Sequence, residues 1–185
     1  MNTTSSSALS NPQASTHLII VMGVSGCGKT TLAEALAEHY HYTYLDADHF
    51  HSEKSRALMA QGIPLTDEDR APWIAALKQH LEGRAAAGQH AVLAFSGLKQ
   101  KHRNALRTAG LRTLVLFLDG EQELIQQRIN KREGHFMAPQ LLASQFASLE
   151  VPVTETDVQR IDINTSMDKV LAKAINLVDE ILLNP

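Results

Sequence analysis

Cysteine is nearly absent: Cys27 stands alone among 185 residues. No disulfide can therefore close within the chain, and a reducing cytoplasm is the compartment that suits it. Charge of one sign is not in excess either, since 17 Lys and Arg face 20 Asp and Glu. That balance leaves no basic footprint of the kind that draws a protein to nucleic acid. No stretch reaches the roughly 20 apolar residues of a membrane span, and no internal repeat is visible. The first sixteen residues, MNTTSSSALSNPQAST, carry neither a basic start nor a long apolar run. They are not a secretory signal and read as a disordered tail over 1–16. Apolar residues make up 44% of the chain, so residues 17–185 are expected to form one domain with its own core.

Glycine, by contrast, is concentrated. Residues 23–30 read GVSGCGKT, which fits G-x4-G-K-[ST] through Gly23, Gly28, Lys29 and Thr30. Glycines let the chain curl tightly and turn successive N–H groups inward, which makes a nest for anions. A helix that begins directly after the nest adds the positive end of its dipole. The flanks have the required context. His17–Met22 is a short β-branched apolar run, as a buried parallel strand should be. Thr31–Tyr40 spaces Leu32, Ala33, Leu36 and Ala37 as a helix does. Gly23, Val24, Ser25, Gly26, Cys27, Gly28, Lys29, Thr30 and Thr31 are thus candidates for holding the phosphates of a nucleotide. In this pattern Lys29 reaches the terminal phosphates and the Thr30 hydroxyl ligates Mg2+. Cys27 is read as a small side chain filling the loop; a redox-sensing thiol is the other reading.

Strand-like runs at 17–23, 42–46, 91–96, 113–119 and 158–163 alternate with helical patterns near 29–40, 52–61, 70–88, 99–109, 121–132, 138–148 and 167–183. Such alternation predicts an α/β fold, a parallel sheet sandwiched between helices. Ligands then sit beyond the carboxyl ends of the strands, which directs attention to the residues that follow each one. Thr66 and Asp69 form a variant capping box, and Pro72 is expected in the first turn of the helix after it.

After the second strand comes LDADHFH, with Asp46 and Asp48 two apart. One carboxylate can serve the Mg2+ side while the other accepts a proton from an attacking hydroxyl; capping of the next helix is the plainer use of such a pair. A metal pair of His49 and His51 with Asp48 is disfavoured, because oxygen ligands already serve Mg2+ and no Cys/His cluster is near. After the third strand, Ser96-Gly97 is a small turn. Lys99 and Arg103, four apart, are placed on one helix face suited to an anionic group, or to plain solvent. No aspartate ends this strand to hold Mg2+, unlike in switch-type GTPases, which points to small kinases instead. Arg128 and Arg132 are again four apart and precede a glycine break. They read as arginines of a lid, placed to clamp a transferring phosphoryl group. Residues 160–164, RIDIN, are candidates for packing on the adenine base.

With these pieces together, the chain resembles the gluconokinase family, P-loop kinases related to shikimate and nucleoside monophosphate kinases. The resemblance covers residues 17 to 165 and rests on GVSGCGKT, LDADHFH, MAQGIPLTDEDRAPW (59–73), SGLK with Arg103, and REGHFM (132–137). It implies a three-layer P-loop sandwich with a five-stranded parallel sheet in the order 2-3-1-4-5 and a mobile lid at about 130–140. It implies transfer of the γ-phosphate of ATP to the 6-hydroxyl of D-gluconate, with Mg2+, in a cytoplasmic homodimer. Lys29, Asp48, Arg128 and Arg132 would be catalytic, with Asp48 the base. Asp46 and Thr30 would face the metal. Asp48, His51, Ser96, Lys99, Arg103 and His135 would bind the sugar acid. Asp67, Asp69, Arg70 and Trp73 belong to the signature without an assigned role. The chain departs from the family pattern at Ala47, Ser52, Ser55, Phe95, His102 and Asn104. These departures all fall on the acceptor side. They keep two alternatives open, a kinase of another small sugar acid or polyol and a non-catalytic nucleotide-binding module.

Overall fold

A computed structural model describes residues 15–131 and 139–184. In chain order the elements are β1 (His17–Met22), α1 (Lys29–Tyr40), β2 (Thr43–Asp46), a 3₁₀ turn (Ala47–Phe50), α2 (Glu53–Ala60) and α3 (Asp67–Ala86). They continue with β3 (Ala91–Phe95), α4 (Gln100–Arg107), β4 (Arg112–Asp119), α5 (Gln122–Asn130), α6 (Pro139–Ser148), β5 (Val158–Asp162), α7 (Met167–Val178) and a π-helical turn (Asp179–Leu183). The strands pair in parallel in the order β2-β3-β1-β4-β5, as expected. The register aligns Met22 with Phe95 and Phe117, and Asp46 with Ala94. The carboxyl ends of β1, β2 and β3 therefore finish level, and the segments after them share one edge.

β1 is buried on both faces, and its period of two decides what it touches. Ile19 and Val21 join Leu32, Leu36, Leu116, Val170 and Val178 beneath α1 and α7. Leu18, Ile20 and Met22 join Trp73, Leu77, Leu81, Phe95 and Leu106 beneath α3 and α4. Each such fully buried side chain contributes roughly 1.5–3 kcal/mol.

Two boundaries differ from the sequence pattern for physical reasons. α3 begins at Asp67, because the Thr66 and Asp69 side chains each bond the other's backbone N–H. Pro72 therefore lies inside the helix rather than in its first turn, and the hydrogen bond it would have made to Glu68 is missing. At the other end of the chain, α7 stops at Val178 and widens into the π-helical turn. There the Arg112 guanidinium bonds the carbonyls of Ile181, at 2.6 Å, and Leu182, at 3.3 Å.

Candidate functional site

The phosphate loop spans the turn from β1 to α1. Gly23, at φ +150°, hydrogen-bonds through its N–H to the Ser96 carbonyl, so the loop is stitched to the end of β3. A Cβ there would lie 2.7 Å from Cys27 Sγ and 2.9 Å from the Leu118 carbonyl oxygen, so only glycine fits. Gly28 caps α1 in the left-handed conformation, at φ +104°, which leaves the first N–H groups of α1 pointing into the loop. Cys27 is fully buried; its sulfur fills the space beside Gly23. Lys29 Nζ donates to the Val24 carbonyl at 2.9 Å, folding the ammonium over the loop.

On the acidic side, Asp46 Oδ1 accepts the Asp48 N–H at 2.9 Å and so caps the 3₁₀ turn. The capping use of the pair is real, yet it engages one lone pair of a two-oxygen group. Tyr44 interacts with both Thr30 and Asp46, and burial, then the Asp46 charge, raises its pKa. The Thr30 hydroxyl and the Asp46 carboxylate thus share one neighbour and offer only hard oxygen donors, which suit Mg2+. Among the described residues no cluster of three or more His, Cys, Asp or Glu could hold a metal alone. A cation held by one carboxylate and the nucleotide's phosphates needs none.

Asp48 is exposed and turned to a cavity of about 690 Å³, whose walls include Ser25, Lys29, His51, Ser96, Lys99 and His102. That volume lies within the range of small-molecule sites. His51 Nε2 stands 3.8 Å from Asp48 Oδ1. Its ring stacks on Trp73 at 4.1 Å and 18°, and Trp73 in turn donates from Nε1 to the Ala47 carbonyl at 2.6 Å. Burial holds the His51 pKa below its usual value despite the nearby Asp48. His51 Nδ1 is buried and without a hydrogen-bond partner among the described residues. Burial, with Arg70 and Lys101 beside it, pushes His102 down to about 4. Both imidazoles are therefore neutral at pH 7.

Lys99 donates to Asp67 Oδ1 and Lys101 to Asp67 Oδ2, each at 2.6 Å. The two ammonium groups, Lys101 foremost, hold the Asp67 carboxyl well below the usual carboxylate range. Arg103 requires a correction. It is buried, and its guanidinium bonds Glu155, the Gly97 carbonyl at 2.6 Å and the Glu150 carbonyl at 3.0 Å. It is not offered to the cavity. The Arg103 N–H still bonds the Lys99 carbonyl at 3.3 Å, but Lys99 turns to Asp67 while the Arg103 guanidinium is taken up by Glu155, Gly97 and Glu150.

A family model described as an AAA domain matches residues 18–152. A probable gluconokinase of Mus musculus is 38% identical over 172 residues, covering 84% of this chain and 94% of its own. The gluconokinase of Gluconobacter oxydans (strain 621H) is 40% identical over 159 residues, covering 86% and 89%. The chain belongs to the gluconokinase family. Its fold agrees: the crystal structure of a gluconokinase from Sinorhizobium meliloti 1021 superposes with a TM-score of 0.83 at 33% identity, covering 94% of this chain and 97% of that one.

The gluconokinase signature GIPLTDEDRAPW now has a location. Asp67, Arg70 and Trp73 line the cavity, while Asp69 caps α3 and pairs with Lys54. Of the departures from the family pattern, His102 alone lines the cavity. Ala47 and Phe95 pack on Trp73, Ser52 caps α2 beside the buried Ser55, and Asn104 accepts from Arg107 outside the site. Arg128 does not line the cavity that Asp48 faces. It bonds the Ile163 carbonyl at 2.6 Å and lines a second space of about 300 Å³ with Gly26, Gly28 and Lys131. Arg132, His135 and most of the expected lid fall outside the described residues. One wall was not anticipated. α6 contributes Leu141, Ser144, Gln145 and Ser148, and the signal for it is the polar set at 144, 145 and 148, which falls on one side of the helix.

Proposed function

We propose that this chain transfers the γ-phosphate of ATP to the 6-hydroxyl of D-gluconate, giving 6-phospho-D-gluconate. The observation that carries the reading is the shared cavity. The phosphate loop's Ser25 and Lys29, the open carboxylate of Asp48 and the basic Lys99 all line one space, as in-line transfer from a nucleotide to an anionic alcohol requires. The relatives named gluconokinase supply the acceptor's identity.

ATP lies with its phosphates in the loop. Lys29 leaves the Val24 carbonyl for the terminal phosphates and neutralises charge that spreads over the transferring group. Thr30 and Asp46 would hold Mg2+, which supplies further charge neutralisation at the phosphates. Asp48 accepts the proton of the attacking hydroxyl, and His51, neutral and stacked on Trp73, fixes that carboxylate. Lys99 receives the carboxylate of the sugar acid, taking over from Asp67. Arg128 acts from the nucleotide side of the loop, and Arg132 and His135 join from the segment between α5 and α6. Enzymatic product examined by ³¹P NMR should show a phosphate monoester coupled to the two protons of C6. A signal coupled to any other position, or only free phosphate, overturns the assignment. A homodimer in the cytoplasm completes the reading. Among the described residues no helix is long and apolar enough to cross a membrane.

A further inference from the structure

α6 reaches across to the phosphate loop. Gln145 Oε1 accepts the Ser25 N–H at 2.7 Å, and Gln145 Nε2 donates to Ser25 Oγ at 3.0 Å. The two bonds fix the carboxamide in one orientation and close the acceptor cavity against the loop. The Ser25 N–H belongs to the nest that binds anions. A neutral amide oxygen therefore sits where a phosphate oxygen is the stronger acceptor, since charge-assisted hydrogen bonds are about twice as strong as neutral ones. The far end of α6 is anchored independently. Glu150 N–H donates to the Leu98 carbonyl at 2.8 Å, Glu150 Oε2 accepts the Gln100 N–H at 2.6 Å, and the Glu150 carbonyl accepts from Arg103. These bonds fix α6 to the turn that carries Lys99, so the wall stays in place when Gln145 lets go of the loop.

We propose that Gln145 is an acceptor-binding residue that changes partner. Without nucleotide it clasps Ser25. Once the terminal phosphate claims the Ser25 N–H, the freed carboxamide turns within the cavity wall and hydrogen-bonds the hydroxyls of the sugar acid. Its two donors and one carbonyl acceptor match a polyhydroxylated chain. Nucleotide binding thereby raises acceptor affinity, and the acceptor raises nucleotide affinity by the same factor. The inference rests on the proposed reaction, because it takes D-gluconate as the acceptor.

The test is calorimetric titration of Mg2+·AMP-PNP and D-gluconate, each alone and in the presence of the other, for the wild type, Gln145→Leu and Gln145→Glu. The wild type should bind gluconate about tenfold more tightly with AMP-PNP present, within the usual range of such couplings. Gln145→Leu should bind AMP-PNP as well as the wild type or better, because the competing clasp is gone, and should lose the coupling. Gln145→Glu sets a carboxylate beside the phosphates and should weaken AMP-PNP binding by at least about tenfold. Full coupling in Gln145→Leu, or weaker AMP-PNP binding with gluconate binding untouched, overturns the role of Gln145 while leaving the reaction standing. A wild type that binds AMP-PNP but never gluconate overturns the reaction, and this inference with it.

Discussion

In the proposed transfer, Lys29 is the residue with the most direct part. Among the described residues its ammonium bonds a neutral carbonyl and no carboxylate, which leaves it able to move to developing charge. Lys29→Ala should lower kcat by about 10²–10³, the loss typical of removing one preorganised charge-stabilising group. Steady-state kinetics with both substrates saturating measures it. A near-normal kcat removes Lys29 from the mechanism. His102 makes a different prediction. Its pKa is about 4 in the folded chain against 6.5 for an unperturbed imidazole. Between those values the unfolded chain binds the proton and the folded one does not, so stability falls as pH drops from 6.5 towards 4. Thermal unfolding followed across that window should show a declining Tm, with a shallower decline in His102→Gln. Equal slopes would mean that His102 is protonated in the fold. At this scale the sequence was partly legible. A phosphate loop is a local pattern with a local physical cause, so Gly23 to Thr30 could be read directly. Asp67, Trp73 and Gln145 could not, because their roles arise from contacts with Lys99, His51 and Ser25, each at least 22 positions away.

Among the elements, the turn from β3 to α4 and the strap from Glu150 to Asp157 act as one unit. Arg103 ties them through Glu155, Gly97 and Glu150, and Arg107 joins Glu155 and Asp157. The Arg103–Glu155 pair is nearly inaccessible to solvent. Its removal strands a buried charge, which costs about 3–5 kcal/mol. Arg103→Ala should thus lower the denaturation midpoint and raise the gluconate KM through Lys99, while the KM for ATP changes little. Denaturant titration and paired KM measurements check it; an unaltered stability would contradict the buried pair. Sequence periodicity located the strands and helices because the two core layers impose it. It misplaced Arg103, since spacing along one helix does not register Glu150 and Glu155, the partners from far along the chain that hold its guanidinium. It also began α3 late, since hydrophobic spacing does not register a polar capping box such as Thr66 with Asp69.

At the scale of the whole molecule, the sheet order sets the chemistry. Placing β3 between β2 and β1 brings the Asp46–Asp48 turn and the phosphate loop to either side of Ser96. α6 and the start of α3 then close the space between them. Strand–helix alternation foretold the layers, whereas the walls of the cavity come from packing between elements far apart in sequence. The central claim is that this space delivers the last phosphate of ATP to D-gluconate. The most direct test is ADP release from Mg2+·ATP, measured with D-gluconate, shikimate, other aldonic acids and no acceptor in parallel. Rapid turnover confined to D-gluconate is the predicted result. ADP release that ignores the acceptor, or that favours a different one, contradicts the account.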